Sequence, residues 1–190
     1  MRWRFGEVDA FSKEFLALSA SGLLAILSST MSKSPTLPLF AQSLGLSEGE
    51  IGLVAAASTI VGIIINFTAG ALSDIYGRKG LLVAAGFFFA SAPFLYLFVA
   101  DVLGLALVRV YHGIATATFT PVAIAFIADM YRSRRGEMMG FFSSATMIGR
   151  LIAPILAGAI LSLAGFREAY LVCGVIGAAA FISIITLPLS

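Results

Sequence analysis

The chain has 190 residues, of which 59% are hydrophobic and only 12% are charged, and its mean hydropathy is +1.01. The charged share is about half that of an ordinary soluble domain, which excludes a water-soluble globule and indicates lipid as the solvent. With a net charge of +2 and basic residues only in small clusters, the sequence lacks the large basic patch that is typical of a nucleic-acid-binding protein. One cysteine and one histidine exclude an intrachain disulfide and a Cys/His zinc site, so no metal or cofactor is expected.

Six stretches of the chain are long and apolar enough to cross a bilayer as helices, which takes roughly 20 apolar residues each. They lie at about 15–40, 50–73, 80–100, 102–128, 138–163 and 168–188. The first is too long for a signal-peptide core, so we expect it to be retained. The sequence therefore predicts an all-α, multi-pass membrane protein with a short N-terminal segment, 1–14, and a bundle of six transmembrane helices, 15–190.

The positions of Lys and Arg predict which side of the membrane each connection occupies. If the spans alternate in direction, eight basic residues fall on one side, within 2–13, 78–79 and 132–135. The opposite side has Arg167 and four carboxylates. Because basic connections stay in the cytoplasm, we expect both termini to be cytoplasmic, in the inner membrane if the source is prokaryotic.

Three basic residues, Lys33, Arg109 and Arg150, fall inside predicted spans, whereas every carboxylate lies in a connection or near a span end. A charge at membrane depth is costly unless it faces protein, water or a partner. At 1.5 Å per residue Arg109 lies roughly 10 Å deep, and Arg150 lies near the midplane. Lys33 lies further along its span, where it either joins a cavity or extends to the outer interface.

A polar stripe in the fourth span combines Arg109 with His112, Thr116 and Thr120 at helical spacing. This pattern is typical of a cavity wall. The reference pKa of imidazole is close to neutral, which suits His112 for proton exchange. The alternatives are a structural arginine bonded to backbone carbonyls and a histidine that only packs.

Asn66 and Thr59 share one face of the second span and offer hydrogen bonds to a substrate, although ordinary bonding between helices explains them equally well. Basic side chains without embedded carboxylates favour an anionic, hydrogen-bonding or amphipathic solute over a cation. The residues predicted for the substrate and proton pathway are Arg109, His112, Arg150, Lys33, Asn66 and Thr116.

The chain partly matches itself after a shift of 88 residues, because 52–86 laid on 140–174 gives nine identities in 35 positions. An offset of three spans reverses direction in the membrane. The match therefore predicts a 3+3 inverted-topology repeat, with halves at about 15–100 and 102–188. The alternative is a shared use of small residues for helix packing.

The connection between the second and third spans reads Gly70-Ala-Leu-Ser-Asp74-Ile-Tyr-Gly77-Arg78-Lys79. Gly70 permits close helix packing, and Gly77 permits a tight reversal. Asp74, at a helix end, can engage a basic partner or a helix N-terminus. Arg78 and Lys79 hold the connection at the cytoplasmic surface.

Residues 70–82 resemble the loop signature of the major facilitator superfamily of permeases, with Ile75 where that family often has a basic residue. Residues 109–113 are similar to the family's Arg-then-Gly pattern, and 129–140 to its basic fourth-to-fifth loop. Residues 149–158 resemble the Gly-Pro motif of the family's exporters, although two of its usual glycines are alanines. The residues that match this helix-packing motif are Gly149, Pro154 and Gly158.

The resemblance covers about 15–188 and implies the N-terminal six-helix half of a twelve-span transporter. In this reading the residues of the 70–79 connection gate access rather than touch substrate. The implied function is secondary active transport of a small organic solute by alternating access. An ion gradient is expected to drive it, since no nucleotide-binding motif is present, and the exporter motif favours efflux of drug-like or anionic compounds by antiport.

The chain ends just after the sixth span, so a second six-helix half is expected as its partner, either another copy or a separate chain. The main alternative is a transport-incompetent fragment of a longer permease. A six-span membrane enzyme is a remote alternative, because no serine lies in a suitable Gly-flanked motif and His112 is the sole candidate base. A channel lacks a recognisable filter or charged ring.

Overall fold

A computed structural model of the chain describes residues 11–187. Those residues form seven α-helices, with one 3₁₀ turn, Tyr96–Phe98, after the fourth. The helices are α1 (Lys13–Lys33), α2 (Thr36–Ser43), α3 (Glu48–Tyr76), α4 (Arg78–Leu95), α5 (Val102–Met130), α6 (Arg135–Leu163) and α7 (Phe166–Thr186). Most of the predicted N-terminal segment, and the last three residues, lie outside the described part.

Six of these segments are long and apolar enough to cross a membrane, and they overlap the six predicted spans one for one. The first span consists of α1 and α2 together, Lys13–Ser43. It breaks at Ser34 and Pro35, as expected of a segment with prolines at 35 and 38, because proline lacks an N–H and clashes with the preceding turn. The prediction of an all-α protein with six spans is confirmed.

Local sequence explains where several helices begin and end. The Ser47 side chain accepts a bond from the Glu50 N–H while the Glu50 carboxylate accepts one from the Ser47 N–H, which caps α3. The Asp101 carboxylate caps α5 by accepting a bond from the Gly104 N–H at 2.7 Å. Between α3 and α4, Gly77 has φ of 87°, a left-handed value that side chains disfavour, so glycine permits this reversal.

Helices α1 and α5 are the two packing centres of the bundle. Helix α1 packs on α6 and α7, α5 packs on α3 and α4, and α4 and α7 pack on each other. Aromatic rings fill the space between α4, α5 and α6, where Phe119 lies 5.7 Å from Phe89 and 6.4 Å from Phe142 between ring centroids. Burial of these large rings removes much apolar surface and fixes how the three helices pack.

Helices α3 and α6 are the least covered spans of the bundle. Large apolar side chains stand exposed along both, including Ile63 (67%), Phe67 (90%), Leu151 (67%) and Ile155 (72%). Exposed apolar surface on this scale is stable only against lipid or another apolar partner. The two helices therefore present the open face of the described bundle.

Candidate functional site

A polar cavity of about 500 Å³ lies between α1, α3, α5 and α6. A smaller hollow of about 290 Å³ adjoins it and shares Lys33, Thr116 and Arg150 with it. The wall combines basic, hydroxyl, amide and small side chains: Lys33, Ser58, Thr59, Gly62, Ile63, Asn66, Arg109, Gly113, Thr116, Ala117, Thr120 and Arg150. Five of the six residues predicted for the substrate and proton pathway are in this wall.

Arg109 reaches the cavity from α5 and is only 6% exposed. Its Nη2 atom donates to the Ser58 hydroxyl of α3 at 2.6 Å. Its Nε and Nη1 atoms have no hydrogen-bond partner among the described residues. This geometry does not match the alternative of an arginine tied to backbone carbonyls, because the bond that it makes is to a side chain.

Lys33 lies at the last turn of α1 and faces into the bundle rather than along the outer interface. Its Nζ atom donates to the Thr116 hydroxyl of α5 at 3.4 Å. The same hydroxyl lies 3.3 Å from the Ser29 hydroxyl, one turn earlier on α1. Because α1 ends at Lys33, the lysine side chain stands where the helical wall of the cavity is interrupted.

Arg150 approaches the cavity from α6, on the open face of the bundle. Its side chain is exposed and makes no hydrogen bond or ion pair with any residue of 11–187. No carboxylate of the described residues lines either hollow. Three basic side chains therefore meet at membrane depth without a described counter-charge.

His112 is the one predicted pathway residue that the structure does not bring to the cavity. It is fully buried, with its ring 6.0 Å from the Tyr96 ring and 6.4 Å from the Phe89 ring. The reason is helical phase. At about 100° per residue, His112 lies about 60° round the helix from Arg109, whereas Gly113, Thr116 and Thr120 stay within about 40° of it.

Sequence reasoning missed Ser58, which shapes the cavity, and identified Gly113 only as part of the Arg-then-Gly pattern. A Cβ atom on Gly113 would lie 3.1 Å from the Ser58 carbonyl oxygen, so the glycine permits α3 to approach α5 at this level. Ser58 lies next to Thr59 and two turns before Asn66, both of which the polar pattern did identify. Its signal was present in the sequence, but a lone serine in a span is usually bonded to its own helix.

A second cluster, the Arg78 cluster, joins the ends of α3 and α5. Arg78 Nη2 lies 2.6 Å from an Asp74 carboxylate oxygen and 3.0 Å from one of Asp129. Arg78 Nη1 also donates to the Gly70 carbonyl oxygen at 3.3 Å and to the Ser73 hydroxyl.

Four of the five residues predicted for the gating loop thus form one unit, since Gly77 positions Arg78, while Lys79 lies exposed beside it.

The sequence of the chain matches the profile of the Major Facilitator Superfamily over residues 18–190. The chain belongs to the major facilitator superfamily. It is a multi-pass integral membrane protein of a transporter family whose members are not generally enzymes.

Three curated superfamily relatives cover about three quarters of the chain. It is 37% identical over 145 residues to an uncharacterised transporter of Methanocaldococcus jannaschii, covering 76% of the chain and 38% of the relative. It is 30% identical to a multi-drug resistance efflux pump of Streptococcus pneumoniae, over 74% of the chain and 36% of that protein. It is 30% identical to the bacillibactin exporter of Bacillus subtilis, over 79% and 39%. The chain thus spans under two fifths of the length of each.

The three residues that match the exporter motif lie in different surroundings. Gly149 is buried against α1, and a Cβ atom there would lie 2.7 Å from the Leu23 carbonyl oxygen. Pro154 is exposed on the open face of α6. A Cβ atom on Gly158 would meet nothing within 4 Å, and this glycine lines a separate hollow of about 390 Å³ beside Pro35 and Phe166.

Replacing Asp129 with asparagine is expected to change the free energy of unfolding of this superfamily chain by no more than about 1 kcal/mol, because exposed ion pairs contribute little and Arg78 keeps Asp74. Thermal unfolding followed by a thiol-reactive dye at Cys173, which is buried in the fold, would measure the change. A loss of several kcal/mol would show that the Arg78 cluster is chiefly structural.

Proposed function

We propose that the chain is the N-terminal six-helix half of a secondary active transporter, which exports a small organic solute, drug-like or anionic, by alternating access in exchange for an ion. The observation that carries this proposal is the polar cavity at membrane depth. Placing a basic side chain at this depth in a bilayer costs free energy, and such residues mark substrate or ion pathways in membrane proteins. Lys33, Arg109 and Arg150 converge on one such space from three helices.

Export is favoured over import by two observations. Residues 149–158 resemble the motif of the family's exporters. Relatives from Streptococcus pneumoniae and Bacillus subtilis are named as an efflux pump and an exporter. Those names describe the relatives, and for this chain efflux is the proposal.

The inverted repeat is proposed on the sequence match together with the packing pattern. When α1 is exchanged with α5, α3 with α6 and α4 with α7, each main helix contact corresponds to another main helix contact. The pair of α3 and α5 becomes the pair of α6 and α1, and the pair of α1 and α7 becomes that of α5 and α4. Such a bundle lets two matching units rearrange around a fixed central site, as alternating access requires. Cytoplasmic termini remain the orientation expected from the basic connections.

The Arg78 cluster is proposed to stabilise one access state at the end of the bundle opposite the α1–α2 break. It joins α3 to α5 through a single guanidinium, so movement of α3 relative to α5 has to break at least one of the two ion pairs. Several weak, exposed bonds of this kind suit a gate, because they can be exchanged without a large barrier. The proton role predicted for His112 stays a prediction.

The open face of α3 and α6 is proposed to pack against a second six-helix half. Native mass spectrometry of the chain extracted in mild detergent is expected to give a twelve-span complex, either a homodimer or a pair with a second six-span chain. The reason is that Arg150 and the exposed apolar side chains of both helices otherwise stand uncovered. A lone species of 19.9 kDa would support the alternative, a transport-incompetent part of a longer permease.

Transport itself is tested in proteoliposomes that contain the native assembly. A trapped pH-sensitive dye reports proton movement, and the same proteoliposomes adsorbed on a solid-supported membrane report charge movement as a current. A panel of organic anions, organic cations and neutral amphipaths is added under an imposed proton or sodium gradient. We expect at least one compound to evoke proton or charge movement that empty vesicles lack. An assembled protein that responds to no member of the panel would contradict the proposal.

A further inference from the structure

We infer that the substrate class of this cavity is a small organic anion, carrying carboxylate, sulfonate or phosphate groups, and that Lys33, Arg109 and Arg150 compensate its charge. The inference rests on the proposed transport function and narrows its substrate. It depends on three features of the cavity: the absence of a described counter-charge, the unused hydrogen-bond donors, and the neutral polar side chains around them.

The first feature is the charge imbalance. Arg78 and Arg134 form ion pairs at the ends of helices, and no described ion pair involves a cavity residue. The described carboxylates lie at caps and connections, away from the two hollows. Basic groups at membrane depth ordinarily pair with a counter-ion or a carbonyl. An anionic ligand would supply the missing partner.

The second feature is the number of donors left open. Arg109 is only 6% exposed, and its Nε and Nη1 atoms are buried and lack acceptors among the described residues, so this side chain adds positive charge to the site rather than direct contacts from those two atoms. A buried donor without an acceptor costs free energy, and more so when it is charged. Lys33 uses one of its three ammonium donors on Thr116. Arg150 uses none within the described part. Bonds from such groups to carboxylate or phosphate oxygens are short and strong.

The third feature is the surrounding wall. Thr59, Asn66 and Thr120 offer hydroxyl and amide groups to the uncharged part of a ligand. The volume of about 500 Å³ admits a small organic ion and its hydration. An organic cation would meet three basic side chains here, and a neutral solute would leave donors of Lys33 and Arg150 unpaired. The competing account is that acidic groups of a second half neutralise the site.

The test measures the sign of the electrostatic potential in the assembled protein. Thr59→Cys places a thiol on the cavity wall, and Ser162→Cys places a reference thiol in the uncharged hollow beside Gly158. Both native hydroxyls bond only a carbonyl of their own helix, so the pair is matched. Each variant, in lipid nanodiscs, reacts with an anionic sulfonatoethyl and a cationic trimethylammonioethyl methanethiosulfonate of similar size. Wild-type protein gives the background, because Cys173 is buried.

We expect the ratio of anionic to cationic rates at Thr59→Cys to exceed the reference ratio by at least about tenfold, as clefts of one sign concentrate counter-ions. Adding Arg150→Gln should lower that ratio by about threefold or more, because one nearby charge is removed. Arg167→Gln, an exposed arginine outside the cavity, should leave it unchanged. A ratio at or below the reference, or no reaction with either reagent, would overturn the inference.

These outcomes separate the inference from the proposed function, because the rate ratio requires no transport. Transport in vesicles with a ratio near the reference would reject the anion class and keep the transporter. A high ratio without transport for any panel compound would keep an anion site and reject the transporter.

Discussion

Replacing Arg109 with methionine is expected to reduce solute-evoked transport by about tenfold to a hundredfold while thermal stability stays equal or rises. The two effects have opposite signs for one reason. The guanidinium is only 6% exposed, and two of its nitrogens lack acceptors among the described residues, so its burial opposes folding. Replacing a buried charge by an apolar side chain of similar length is often neutral or stabilising.

The loss of transport follows from the positive charge that Arg109 adds to the cavity wall. Two unit charges about 4 Å apart near a protein surface interact by about 4 kcal/mol, and roughly 1.4 kcal/mol corresponds to tenfold in binding. The vesicle assay gives the transport change, and dye labelling of Cys173 during heating gives the stability change. Arg109→Lys is the matched variant, since it keeps a positive charge and should retain part of the activity.

Arg167→Met is the matched control, because it removes an exposed arginine at the start of α7 that makes no described bond. It should leave both measurements unchanged. If Arg109→Met instead lowered stability strongly and kept transport, Arg109 would be a structural residue that links α5 to Ser58 of α3. That result would remove it from the transport pathway.

Replacing Gly177 with alanine is expected to destabilise the bundle by about 3 kcal/mol, the upper part of the usual range for overpacking. A Cβ atom on Gly177 would overlap the Phe89 carbonyl oxygen and lie 2.9 Å from its carbonyl carbon. Both atoms belong to the backbone of α4, so no rotamer change relieves the overlap. The side chain of Ser28, on α1, lies 3.2 Å from the same point.

Because α4 and α7 must separate to accept the methyl group, the buried contacts between them weaken together. For a chain of this length the change corresponds to a fall in melting temperature of roughly 6–12 °C. Gly52→Ala on α3 is the matched control, since a Cβ atom there meets nothing within 4 Å. It should be neutral or slightly stabilising through helix propensity. Equal melting temperatures for both variants would contradict the close approach of α4 and α7.

The spans and their ends were predictable because they depend on composition and local chemistry. Twenty or so apolar residues need lipid, and prolines at 35 and 38 break a helix. The caps at Ser47 and Asp101 are equally local, although they were not predicted. The superfamily signature at 70–79 is likewise local. The inverted repeat, the orientation of the termini and the roles of the site residues stay predictions.

The partners of the site residues were not predictable in the same way. Arg78 was expected in a gating loop, but its bond to Asp129, at 3.0 Å, depends on the packing of α3 on α5. Gly149 was expected to pack, but the sequence did not indicate that α1 is its neighbour. His112 was grouped with Arg109 by spacing, and a difference of about 60° in helical phase turned it towards Tyr96.

Composition and residue order are sufficient to predict a membrane protein with six spans and with three basic residues inside those spans. Hydrophobic length and charge position settle these properties without knowledge of any contact. The packing of the helices was needed to learn that Lys33, Arg109 and Arg150 line one cavity, that Ser58 rather than His112 joins them, and that α3 and α6 form the open face. The physical reason is that periodicity gives the direction of a side chain around its own helix, while the neighbour it meets depends on how separate helices pack.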